Sequence, residues 1–98
     1  MSRPSFPRPD HATLLREKIA ERLQSHPDSF ELAERGLDHY RCCYRFGIRG
    51  GRGSDWAELP LHFQVAERLA ASGSGEELSR ILDLFLERHF SRDEAGEY

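Results

Sequence analysis

Apolar residues recur along this chain mostly at spacings of three and four, which predicts helices and no strand. The first stripe is Ala12, Leu15, Ile19 and Leu23, opposed by Glu17, Lys18, Glu21 and Arg22. It predicts a helix over 11–25 with Asp10 as its N-cap. Pro27 stops it, because the residue before a proline avoids helical dihedrals. Asp28 and Glu31 have the spacing of a capping box and open a second helix running to about Phe46. Phe30, Ala33, Leu37, Tyr40 and Tyr44 then share one arc, and Gly36 sits at its edge, where a neighbouring helix can approach closely. Gly47 is the expected stop.

A glycine-rich loop follows over Ile48–Gly53. Ser54 or Asp55 then caps a third helical region, which Pro60 divides into a short turn and a main helix over 61–72. Leu61, Val65 and Leu69 form its stripe, and Gly73 closes it. Ser74 with Glu77 makes the clearest capping box, opening a fourth helix over 75–90. Leu78, Ile81, Leu82 and Phe85 line that helix, widened by Leu84 and Leu86. So broad an arc implies burial on two sides, or burial on one and a homodimer contact on the other. Prolines at 4, 7 and 9 predict an extended arm over 1–9, and the polar stretch 91–98 predicts a frayed acidic tail. The expected architecture is all-α: a single domain over 10–90, built as a compact bundle of four helices with an Arg/Gly loop between helices 2 and 3.

Composition sharpens this picture only slightly. A chain of 98 residues with 38% hydrophobic and 32% charged residues can bury one modest core. No apolar run approaches the roughly 20 residues of a membrane span. The N-terminus has no apolar signal region, so a cytoplasmic setting is expected. Two adjacent cysteines, Cys42 and Cys43, give no disulfide framework within the chain.

Charge is more telling. Residues 1–53 carry a net +3 and residues 54–98 a net −6, so a basic first half faces an acidic second half. Only Lys18 is a lysine; the other thirteen cations are arginine, whose planar fork suits interfaces and phosphates. Four of them, Arg41, Arg45, Arg49 and Arg52, fall between Tyr40 and Gly53 with three aromatic residues, four glycines and no carboxylate. Trp56 stands just beyond. Such a segment can grip a phosphate backbone or an acidic patch on a protein; Tyr40, Tyr44 and Phe46 are candidate stacking surfaces, but the apolar arc assigns Tyr40 and Tyr44 to the core, which leaves a basic patch. It can also pair with the acidic half of its own chain. Arginine and tryptophan are enriched at binding hot spots.

Other chemistry is weakly signalled. His39, Cys42 and Cys43 lack the second ligand pair that a zinc site requires, so neither metal nor cofactor is expected. Cys42, flanked by Arg41 and Arg45, is a candidate reactive thiol. His62 and His89 fall within apolar arcs and suit boundary positions better than catalysis. A helix-turn-helix fails on charge, since the fourth helix is acidic. These residues predict a non-enzymatic interaction module: a small helical regulator, adaptor or inhibitor. It would dock a protein partner with an acidic surface through Arg41, Arg45, Arg49, Arg52 and Trp56. The alternative is a nucleic-acid-binding module that contacts the phosphate backbone through the same loop.

Overall fold

The run Tyr44-Arg45-Phe46-Gly47-Ile48-Arg49 alternates apolar with polar residues, and in the computed structural model it is a strand. Residues 7–26, 29–50 and 55–90 are described. In chain order the elements are α1 (Pro9–Gln24), β1 (Phe30–Asp38), β2 (Cys43–Gly50), β3 (Ala57–His62), α2 (Phe63–Ser72) and α3 (Glu76–Phe90). The strands form one antiparallel sheet in the order β1-β2-β3. The fold is therefore α+β, and the all-α bundle of four helices expected from the sequence is wrong.

The expected second helix is the element that fails. Its span folds as β1, a turn and the start of β2. A helix there would hold Gly36, at about 1 kcal/mol relative to alanine, and bury a single stripe. As a sheet, the same segment sends Tyr44, Phe46 and Ile48 into the core together, all at most 2% exposed. Full burial of such side chains contributes roughly 1.5–3 kcal/mol each. The turn over 39–42 is closed by Asp38, whose Oδ1 accepts from the backbone N–H of Tyr40 (3.0 Å) and Arg41 (3.1 Å). Cys42 takes φ 55, and its carbonyl accepts from Phe63 N at 2.8 Å, tying the hairpin end to the start of α2.

Two further expectations are corrected near prolines. Pro9 opens α1 in its first turn, where the missing N–H has no helical partner anyway. Pro60 lies within β3, an edge strand, and breaks no helix. The predicted 61–72 helix accordingly starts at Phe63. His62 is its N-cap, with Nδ1 accepting from Gln64 N at 3.1 Å, and Gly73 ends it at φ 71. In α3, Ser74 Oγ accepts from Glu76 N, while Glu77 reaches away to Arg68 instead of closing the box. The predicted loop 48–53 belongs to β2 as far as Gly50; its remainder, 51–53, lies outside the described residues, as do 1–6 of the arm and the tail 91–98.

One core unites the layers. Leu15, Ile19 and Leu23 of α1 join Leu59 and Leu61 of β3, and α2 and α3 complete it with Phe63, Leu69, Leu82 and Leu86. The wide arc of α3 is largely absorbed here; Leu84 alone of its large apolar residues stays exposed, at 61%. Ion pairs join the helices at the rim, Arg22 to Asp83 (2.7 Å) and Arg68 to Glu77 (2.7 Å). Among the described residues no helix is long and apolar enough to cross a membrane.

The β1–β2 register shifts between Glu34 and Gly36, leaving Arg35 as the extra residue of a bulge, and Gly36 has φ 93. No atom lies within 4 Å of a Cβ built there, so the glycine serves conformation and not close packing. Gly36→Ala is expected to lower the unfolding free energy by about 1–2 kcal/mol, the strain of a left-handed L-residue. Urea denaturation measures it; an unchanged midpoint contradicts the bulge.

Candidate functional site

Residues that alternate with the core positions of β2 must point to the other side of the sheet. Arg45, Gly47 and Arg49 do so. Register places Glu31 opposite Arg49, Ala33 opposite Gly47, and Gly36 opposite Arg45 on the β1 side. On the β3 side Glu58 faces Gly47, and Pro60 faces Arg45. Glu31, Arg35, Glu58, Pro60 and His62 are exposed, so this face of the sheet is open where the other is covered by helices.

Cross-strand charges organise the open face. Arg49 Nη2 donates to both carboxylate oxygens of Glu31 at 2.7 Å. Arg45 grips Glu58 with Nε at 3.2 Å and Nη2 at 2.9 Å, a two-point fork. The Arg45 hydrogen bond holds the Glu58 carboxyl below its ordinary range, against a smaller opposing effect of burial. At the far end of the hairpin Arg41 lies 3.8 Å from Asp38. Arg45 and Arg49 thus already have partners in the chain itself.

Trp56 is the distinctive feature. It precedes β3 and lies over the middle of the open face, 38% exposed. Two guanidinium carbons stand against its ring, that of Arg49 at 4.7 Å from the centroid and that of Arg35 at 5.0 Å. Both distances suit a cation–π contact. Gly47 makes room beneath them. A Cβ at that position would stand 2.7 Å from Arg35 Nε and 3.2 Å from Trp56.

Of the residues the sequence singles out, the fold gathers Arg45, Arg49 and Trp56 on one face. Arg41 sits at the turn, away from Trp56 along the strand direction, and Arg52 lies outside the described residues. The aromatics of this segment separate: Tyr44 is core as its place on the apolar arc predicts, and so is Phe46, whereas Tyr40, expected in the core on the same arc, is fully exposed at the turn. Sequence reasoning misses Arg35 as a site residue, because a helical reading of its segment hides the alternation Glu31, Ala33, Arg35 that carries it to this face.

The remaining candidates do not converge. Burial, aided by the nearby Asp38 charge, pushes the Cys43 thiol up, which disfavours the thiolate. Cys42 Sγ lies 3.7 Å from the His39 carbonyl within the turn. Among the described residues, no three His, Cys, Asp or Glu side chains group so as to hold a metal ion. A mainly apolar groove of about 360 Å³ lies between the start of α1 and the β1–β2 hairpin, lined by Pro7, Ala12, Leu37, Tyr44 and Phe46 together with Glu34 and Arg45. Tyr44 Oη accepts from Arg8 N there at 2.9 Å, and burial raises the phenol's pKa.

Two measurements follow from this geometry. The folded pKa of Glu58 lies below its ordinary 4.5, and so does that of Glu77 beside Arg68. Their contribution is therefore complete above pH 4.5 and lost as pH falls through the lowered values. The pairs are half-exposed, so the effect is small and screened by salt. The urea midpoint should fall from pH 6 to pH 3 at low salt, and the double variant Glu58→Gln/Glu77→Gln should fall less. Gly47→Ala should leave the core intact, since Arg35 is flexible enough to move aside. It should displace Arg35 from Trp56, shifting the emission of this single tryptophan with under ~1 kcal/mol lost. Unaltered emission would contradict the stacked arrangement.

Set beside protein-family models, curated proteins and solved structures, this chain matches none, so its function is argued from the chemistry of the open face alone.

Proposed function

We propose that this chain is a non-enzymatic protein-interaction module, a small regulator, adaptor or inhibitor, which docks a partner protein on the open face of its sheet. The observation that carries the reading is Trp56, held half-open over Gly47 with two guanidinium groups against it. A tryptophan so placed brings a large apolar area in a fixed orientation, and aromatic and arginine anchors dominate interface energetics.

The face suits a partner better than the edges do. Pro60 removes a donor from β3, and the bulge at Arg35 interrupts β1, both of which discourage strand addition. Charge favours a protein over nucleic acid. Glu31, Asp38 and Glu58 are interleaved with Arg35, Arg41, Arg45 and Arg49, so a polyanion tracking across the face meets repulsion as well as attraction. Base stacking also loses Tyr44 and Phe46 to the core. With most of its apolar arc buried, α3 offers only Leu84 to a second copy. The two free thiols fit a reducing, cytoplasmic setting.

Affinity capture of the tagged chain from its native lysate, with and without nuclease, tests this. A near-stoichiometric protein should survive nuclease and disappear with Trp56→Ala, while the thermal midpoint of that variant moves by only a few degrees. Partners that vanish with nuclease would instead establish the phosphate-binding alternative.

A further inference from the structure

Seven arginines among the described residues have a carboxylate within ion-pair distance. Arg35 does not. Its neighbour in sequence, Glu34, points to the helical side and pairs with Arg16 at 2.8 Å. Glu31 is engaged by Arg49, and Glu58 by Arg45. What positions Arg35 is Trp56, whose ring centroid lies 5.0 Å from its guanidinium carbon, and the bare backbone of Gly47 below. A cation–π contact of this kind consumes none of the guanidinium's N–H donors. These radiate in the guanidinium plane, where a carboxylate binds with two parallel hydrogen bonds. The two contacts are compatible, and the ring restrains the side chain before any partner arrives, which lowers the entropy lost on binding.

We propose that Arg35, in place of the already paired Arg45 and Arg49, is the residue that selects the partner, taking a carboxylate from an acidic segment whose neighbouring apolar side chain packs on Trp56. The proposal rests on the interaction reading above and gives it a chemistry. Charge complementarity names the occupant. Arg35 is exposed and makes no direct ion pair among the described residues; the Glu58 carboxylate that feels its charge is already held by Arg45, so a carboxylate brought by a partner can take its donors. A chain of phosphates does not fit as well, because its next charges would fall near Glu31 and Glu58, which flank the ring on either strand. Alternation from Glu31 and Ala33 brings Arg35 to this face, and the bulge puts Gly36, which has no side chain, opposite Arg45 beside it.

Trp56 is the sole tryptophan, so its emission reports on the site directly. The probes are a capped peptide with one glutamate among leucines and serines, the same peptide with glutamine for that glutamate, and an oligothymidylate. The glutamate peptide should change the emission saturably, and the glutamine peptide and oligonucleotide should not. Arg35→Gln should weaken the peptide by about tenfold or more, as expected when one partner of a charge-assisted fork is removed. Arg35→Lys should restore little, since lysine has no fork, and Arg45→Gln should matter much less. Equal binding by Arg35→Gln, equal binding of the glutamine peptide, or a response to the oligonucleotide alone overturns the proposal; so does an unresponsive glutamate peptide. The lysate capture separates this inference from the broader reading. A protein lost with Trp56→Ala but retained with Arg35→Gln leaves the interaction reading standing and removes Arg35 as its selector. Absence of any Trp56-dependent protein removes both.

Discussion

Tyr44, Phe46 and Ile48 leave the central strand on one side only, and the three helices close over that side. The rest of the molecule answers to this one-sided burial. Because side chains alternate strictly along a strand, every residue between those three is delivered to the opposite, uncovered face. There the chain must offer groups that water or a partner can solvate. It offers arginine and glutamate from adjacent strands, with a glycine between the two arginines.

Register couples the core to that face. A one-residue slip of β2 would expose Phe46 and bury Arg45, so the apolar side fixes which charges meet across the strands. The Arg49–Glu31 and Arg45–Glu58 pairs are consequences of core packing more than causes of stability, being half-exposed and screened. The turn works in the same direction. Asp38 caps the backbone of Tyr40 and Arg41, and Cys42 reaches across to Phe63, so the hairpin end and the start of α2 are fixed together.

Helical segments near α1, α2 and α3 were legible because local signals agree with burial there: a leucine-isoleucine stripe, Gly73 past one end, Ser74 before another. The sheet was not, and the bulge is much of the reason. Leu32 and Leu37 both lie on the core side of β1, yet they are an odd number of residues apart, because Arg35 is inserted between them. The insertion destroys the period-two pattern and leaves Phe30, Ala33, Leu37, Tyr40 and Tyr44 at spacings that imitate a helix. The cleaner alternations, Tyr44-Phe46-Ile48 and Leu59-Leu61, were present but short, and each was absorbed into a helical reading of its surroundings. For the site, Arg45, Arg49 and Trp56 were legible as chemistry. Their company was not: pairing with Glu31 and Glu58 depends on register, and Arg35 joins them only where its segment is a strand.

The irregularity that hides the strand also builds the surface. A flat, regular β1 would be the more stable partner for β2, since both Gly36 and Gly47 weaken a strand relative to residues with side chains to pack. Gly36 nevertheless holds a left-handed backbone beside Arg35, and Gly47 leaves open the volume that Arg35 and Trp56 occupy. Neither glycine serves the core. Gly47 makes room for a tryptophan and an arginine on the side of the sheet where the helices do not reach, and Gly36 shapes the backbone next to that arginine. Such local departures from the best strand geometry, next to an exposed ring and the arginine against it, are the physical ground on which the proposed docking role rests.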